Sequence, residues 1–495
     1  MTSLRRGFLV LATGNLLGKV VALVREVVFA AAFGTSAVAS GFRVAQTGSM
    51  VPANLIAGDL LSAAFAPSYA IESRRDQQRA SAQLYGYSIW LTITLGITAI
   101  SISFLAPEFV QIIVPGADAS VREQADTFLR IMSWTMPLYG VSAVFAYALG
   151  TQGRYLLTSL RPLIQSIGLL AGTLGALALG WMPFLALGFV CAWAAYTAMC
   201  IFTAARRGLL RTLRFRELVT SGSFVLHGIR SIAPLLALPL VLQASILVER
   251  LLSSFGPAGL IAAVDYARTL SESAMSLVAV PLGIIGLTQL SALSPARYND
   301  AVVKMTRFIL IVMMPLSMLM VTAAAPVVTL VFGRGAFDGQ AVYLSSQVLV
   351  GLSAGLALQV LGYSLSRALT AVGRNGAVLR WTLMAIAGQV LVQSAILVSN
   401  EPILIGLGPS VFGLVLSTGC AISLRVHRVM LGTIALSVPA IFTTILIAAW
   451  DLGWIWSTAV VATAWCLNIS LVKTLRDPLL DQLKPILTKL TGRTT

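Results

Sequence analysis

Ten ionisable residues sit inside long apolar runs, where charge is costly enough to need a reason. Lys19, Arg25, Arg43, Arg250 and Arg268 are cations, and Glu26, Asp59, Glu249, Asp265 and Glu272 are acids. A charged side chain at the centre of a bilayer costs roughly 3 kcal/mol even on a lenient scale, so such groups face a protein interior or a wet cavity. Arg130, Arg161 and Arg230 raise the intramembrane cations to eight against five acids. The cavity they imply is net positive and suits an anion. A diphosphate is the natural candidate, because Arg and Lys donors match its oxygens.

Spacing refines the assignment. Lys19 lies about twelve residues, roughly 18 Å at the helical rise, from the nearer end of its run, too deep to snorkel easily. Arg25 and Glu26 are adjacent and so point about 100° apart, which argues against a simple pair on one helix face and for a partner on another helix. Asp265, Arg268 and Glu272 are spaced by three and then four residues, which stacks acid, base and acid on one helix face. That pattern reads equally as a self-neutralising ladder or as a cation held in place by flanking carboxylates. Arg130, Arg161 and Arg230 fall near the ends of their runs, within reach of lipid headgroups.

Other chemistry lacks its residues. There is no Walker A motif for a nucleotide and no Ser/His or Asp/Asp constellation for an intramembrane enzyme. His227 and His427 are too few and too near the run ends for a metal site. Cys191, Cys200, Cys420 and Cys466 all fall in apolar stretches and are expected as small core residues without a bridge. No cofactor is expected.

The elements that must position these charges follow from composition. Of 495 residues, 57% are apolar and 11% charged, with a mean hydropathy of +0.88. A soluble chain is about a quarter charged, so this is an all-α polytopic membrane protein and neither a soluble enzyme nor a nucleic-acid binder. About fourteen stretches approach the roughly 20 apolar residues a span requires: 7–33, 38–70, 84–105, 125–149, 156–179, 184–204, 224–255, 258–292, 308–332, 342–369, 379–399, 402–424, 430–450 and 454–475. The opening MTSLRRGFLVLATG could pass for a signal peptide, but its apolar run continues to Phe33 and reads as the first span.

With the amino terminus inside, 24 cations fall at inside ends against Arg122 and Arg334 outside. The positive-inside rule then places both termini in the cytoplasm, and the net charge of +16 needs no nucleic-acid partner. The arginine-rich stretch 205–223 divides an N-lobe, 1–204, from a C-lobe, 224–429, each with six spans around a central cationic cavity. Spans 13 and 14, 430–475, read as an appendage, followed by a tail, 476–495. A weak echo between VREVVFAAAFG and VERLLSSFG supports two parallel repeats.

The runs GKVVALVREVVFAAAFGTSAVASGF, LLSAAFAPSYA and YARTLSESAMSLVAVPLGIIGLTQLS, with the span count and two lobes, resemble the MurJ/MviN family of lipid-linked glycan flippases. That family lies in the multidrug/oligosaccharidyl-lipid/polysaccharide exporter superfamily. The resemblance implies inner-to-outer-leaflet transport of an undecaprenyl-diphosphate-linked glycan by alternating access in a bacterial inner membrane. Arg25 matches the family's first-helix arginine, and Glu26 stands where an aspartate is usual. The chain departs from the pattern at Ser40, Ala53 and Thr269, where the family carries an acid and two arginines. Arg43 stands where an aromatic is expected, and Arg268 lies one place before Thr269. These changes leave two cargoes open, lipid II and an exopolysaccharide repeat unit.

Two other readings fit the same residues. A cation-coupled exporter of small amphipathic molecules on the same fold would favour a carboxylate-dominated cavity. A non-transporting scaffold of a glycan-assembly complex would not need Lys19 and Arg25. Coupling to membrane potential or to a monovalent cation is open, since spans eleven and twelve carry no acid except Glu401 at their connecting turn. The partners expected are the lipid-linked glycan, membrane lipids and glycan-polymerising membrane proteins.

Overall fold

The computed structural model describes residues 2–59, 61, 65–153, 156–210, 237–290, 295–449, 454–472 and 475. Nearly all of them are helical and no strand occurs among them, as expected of a chain whose backbone must satisfy its own hydrogen bonds in lipid. Eight helices, or nine if a pair bent by 49° at Gly355 counts as one span, are long and apolar enough to cross a membrane among the described residues. The five other expected spans fall on helices that are broken, as for 38–70 and 125–149, on a helix whose side chains are described only from residue 18, as for 7–33, or partly outside the described residues, as for 224–255 and 258–292.

The described residues form two compact units. The first spans Met1–Ala262 with Arg334–Ala341, and the second Ala263–Gly333 with Val342–Thr495. The basic stretch expected to divide the lobes lies largely outside the described residues, since 211–236 are not among them.

In the first unit, α1 (Thr2–Phe33) leads into α2 (Ala37–Ala53). Gly34 closes α1 with φ 51°, a left-handed conformation that costs glycine little. Ser36 caps α2 by accepting from the Ala39 amide at 3.4 Å. Pro52 supplies no amide to the α2 ladder, and the chain relaxes into a π-helical turn over Asn54–Asp59. Next come α3 (Ala66–Arg75), α4 (Gln77–Phe104), α5 (Ala106–Ile113), α6 (Ala119–Met132) and α7 (Thr135–Thr151). Then follow α8 (Leu156–Leu179), α9 (Phe184–Arg206) and α10 (Ala237–Ser253). A Cβ added at Gly172 of α8 would stand 2.7 Å from the Phe184 carbonyl of α9, and one at Gly188 would stand 2.7 Å from the Gly172 Cα. Such small residues let membrane helices approach closely. Residues 334–341 also belong here: the Ala336 amide donates to the Ala31 carbonyl at 2.8 Å, and Gly335 turns with φ 62°.

The second unit holds most of α11 (Leu260–Leu290), then α12 (Pro295–Thr322), α13 (Ala324–Phe332), α14 (Gly339–Ala354), whose first residues belong to the first unit, and α15 (Leu356–Ala371). It continues with α16 (Asn375–Ser394), α17 (Ile396–Ser399), α18 (Ile403–Ser423), α19 (His427–Ala449) and α20 (Trp454–Leu471). The last two pack on each other and on α12. All four cysteines are unbridged. Cys200 and Cys420 are buried, whereas Cys191 and Cys466 lie on the outer surface, where a thiol in an apolar stretch can face lipid as readily as core.

Candidate functional site

The helix that carries Arg43 is buried almost all round. Ala39 to Ala45 are without exception buried, which places α2 inside the first unit. Phe42 is ringed by Phe29 at 5.5 Å, Phe128 at 6.1 Å and Phe189 at 6.3 Å. A charge held among these rings cannot be hydrated and must be paired.

Glu26 meets that requirement twice over. One carboxylate oxygen accepts from the Arg25 guanidinium, and the other accepts from Arg43 on α2. Side-chain exposure is 2% for Glu26, 5% for Arg43 and 18% for Arg25. Arg25 is therefore the open end of the cluster, in which one carboxylate is shared by two guanidinium groups. The Arg43 guanidinium also lies 4.9 Å from the Phe29 ring centroid, a cation–π contact strengthened by exclusion of water.

This geometry corrects the argument from helical angle. Adjacent positions diverge at the backbone, yet the flexible Arg25 side chain turns back to reach Glu26. The inter-helix pair exists as well, between Glu26 and Arg43.

Arg250 of α10 joins through a hydroxyl. Thr47, one turn after Arg43, donates to the Arg43 carbonyl at 2.9 Å and accepts from Arg250 Nε at 3.1 Å. A second Arg250 nitrogen donates to the Ile261 carbonyl at 3.0 Å. Glu249 and Arg250 are both buried. Arg25, Glu26, Arg43 and Arg250 thus form one connected network, with Glu249 adjacent in sequence. Thr47 and Phe29 were missed in the sequence. Thr47's only signal was its i+4 spacing from Arg43, the interval that stacks side chains on one helix face.

Lys19 is exposed and makes no ion pair among the described residues. Asp59 closes the π-helical turn. Asp265 and Arg268 are half-buried and Glu272 exposed on α11 in the second unit, and none of the three is without a partner. Arg130 is exposed and bonds Asp126 at 3.0 Å, while Arg230 lies outside the described residues. Ser40, where the family resemblance leads one to expect an acid, is buried with no hydrogen-bond partner for its hydroxyl among the described residues.

The family model described as lipid II flippase MurJ matches residues 29–478. The chain belongs to the lipid II flippase MurJ family. A probable lipid II flippase MurJ of Synechocystis sp. is 25% identical over 373 residues, covering 70% of this chain and 67% of its own. One of Thermotoga maritima is 24% identical over 374 residues, covering 74% of each. Among solved structures, a lipid II flippase MurJ in an inward closed conformation superposes with a TM-score of 0.82 at 17% identity, over 95% of this chain and all of that one. An inward-facing multidrug resistance MATE family transporter of the MOP superfamily gives 0.61 at 14% identity, over 86% of this chain and 96% of that one. Both share the fold. MurJ family membership makes the protein a flippase-type transporter rather than an enzyme. Arg43, Glu249, Arg250 and Arg268 lie inside the residues matched to the MurJ family, whereas Lys19, Arg25 and Glu26 precede them.

Proposed function

We propose that this chain moves an undecaprenyl-diphosphate-linked glycan from the inner to the outer leaflet of the bacterial cytoplasmic membrane, gripping the diphosphate with Arg25. The observation that carries this reading is the shared carboxylate: Glu26 is divided between two guanidinium groups, and Arg25 is the more exposed of them. An arriving diphosphate offers Arg25 a second anion with matched bidentate geometry, while Arg43 keeps Glu26. Release needs a state in which Arg25 is held more fully by Glu26. Alternating access supplies it, because a ligand shifts a conformational equilibrium only by its differential affinity for the two states.

The cation asymmetry supports a cytoplasmic location for both termini. Lipid II is the cargo named for the family. An exopolysaccharide repeat unit is the second reading, favoured by Arg43 and Ser40 standing where the family resemblance leads one to expect an aromatic and an acid. Coupling to membrane potential, worth about 2.3 kcal/mol per charge per 100 mV, would suffice without a cofactor. A glycan-polymerising membrane protein would receive the product outside.

The test is Arg25→Ala and Arg25→Lys in cells where labelled lipid-linked precursor is measured on each leaflet. Alanine abolishes outward transport at normal protein abundance. Lysine retains part of it, because it keeps the charge and loses the fork. Wild-type transport by Arg25→Ala overturns the diphosphate clamp and leaves Arg25 as a structural partner of Glu26. Unchanged leaflet distribution after depletion of the whole protein would favour a scaffold instead.

A further inference from the structure

The first unit contains a cavity of about 340 Å³ between the start of α3 and helices α7, α8 and α9, with no residue of the Arg25 network in its lining. Its size falls within the range that holds small-molecule ligands. Ala143 and Ala146 line it together with the buried Tyr139 and Tyr196, and Thr158 and Arg161 are its exposed residues. Arg161 is the one charged lining residue and has no acidic partner among the described residues. An apolar recess with a lone guanidinium at its exposed edge has the complementarity of an anionic amphiphile. A free inorganic anion would leave the alanine and tyrosine walls unfilled.

Position selects the occupant. Arg161 falls about six residues from the start of its span, at the depth where a long side chain meets headgroups. The cation asymmetry puts that end of α8 on the inner face, where acidic lipids are concentrated. We infer that this cavity is a binding site for one acidic phospholipid of the inner leaflet, with its phosphate on Arg161 and an acyl chain laid along Ala143 and Ala146. The assignment is independent of the glycan cargo and does not use Arg25.

The experiment uses the full-length protein in nanodiscs of equimolar phosphatidylglycerol and phosphatidylcholine, released into mild detergent, with retained lipid counted by native mass spectrometry. The wild type keeps one phosphatidylglycerol in preference to phosphatidylcholine. Arg161→Gln lowers its retention about tenfold, the loss expected for one charge-assisted hydrogen bond. Ala146→Phe fills the recess while leaving Arg161 in place, and lowers retention as well. Ala143→Leu serves if that variant does not fold, and Arg130→Gln leaves retention unchanged. Equal retention of the two lipids by the wild type overturns the site. So does loss in Arg161→Gln with normal retention in every recess-filling variant, which would mark an ordinary headgroup contact on the surface. Inorganic phosphate that raises the Tm of delipidated wild type but not of Arg161→Gln would make this a free-anion site and overturn the lipid. Failure of Arg25→Ala to affect export would leave all these outcomes unchanged.

Discussion

The helices α14 to α18 of the second unit and the helices α1, α2 and α10 of the first unit secure buried polarity by different means. In the second unit the contacts are neutral. Ser410 donates to the Gly351 carbonyl at 2.6 Å and accepts from the Gly355 amide at 2.8 Å, where the α14–α15 span bends. Gln393 donates to the Ile405 carbonyl and Gln359 to the Leu352 carbonyl, each at 3.0 Å. Arg367, Arg374, Arg380 and Glu401 in this stretch are all exposed. In the first unit the corresponding task falls to Arg25, Glu26, Arg43 and Arg250, ionised groups whose desolvation costs several kcal/mol each. Neutral hydroxyls and amides suffice to tie bent helices together. Under the proposed function, the charge in α1, α2 and α10 is the part of the molecule that meets the diphosphate.

The contrast can be broken most forcefully at Glu26. Glu26→Gln removes the carboxylate that Arg25 and Arg43 share and lowers stability by about 3–5 kcal/mol, the penalty for removing one side of a buried pair. Thermal unfolding of the purified protein checks this. A double variant, Glu26→Gln with Arg43→Met, should recover a large part of the loss. If it unfolds no later than the single variant, the pair is not the source of the cost.

Ser410→Ala probes the neutral side. It strands the Gly355 amide and removes a donor to Gly351, with an expected loss of about 1–3 kcal/mol. Because no charge is disturbed, transport per folded molecule should stay near wild type. A transport defect at full abundance would show that the α14–α15 bend is more than a packing joint. The smallest effect is expected at Arg130, whose pair with Asp126 is 44% exposed on the arginine side. Arg130→Ala should change stability by less than about 1 kcal/mol and leave leaflet transport intact, as surface ion pairs do.

Much of this was legible in the sequence. Apolar length and the rarity of charge gave the all-α membrane class, and the depth of Arg25, Arg43 and Arg250 singled them out, because charge in an apolar run is visible without knowing its neighbours. Their connections were not visible. Which faces of α1, α2 and α10 meet depends on helix packing, so neither the shared use of Glu26 nor the Thr47 bridge to Arg250 could be read from spacing. Arg25 to Glu26 was misjudged because backbone angle ignores the reach of a long side chain. Span counting also blurred where one apolar run holds a break, as at Ser133–Trp134 between α6 and α7, since residues on both sides of a kink are equally apolar.

The short segment 334–341 sets how the protein could be divided. Its packing on the end of α1 assigns it to the first unit, although its flanking residues on both sides belong to the second. The chain thus passes from one unit to the other at 262–263, again at 333–334 and again at 341–342. A gene cut in the basic stretch 205–223 would yield a leading fragment whose first helix lacks its cap and a trailing fragment that carries that cap away. Neither piece keeps the whole of the first unit, so a split version of this protein restores that unit only when its two fragments reassemble.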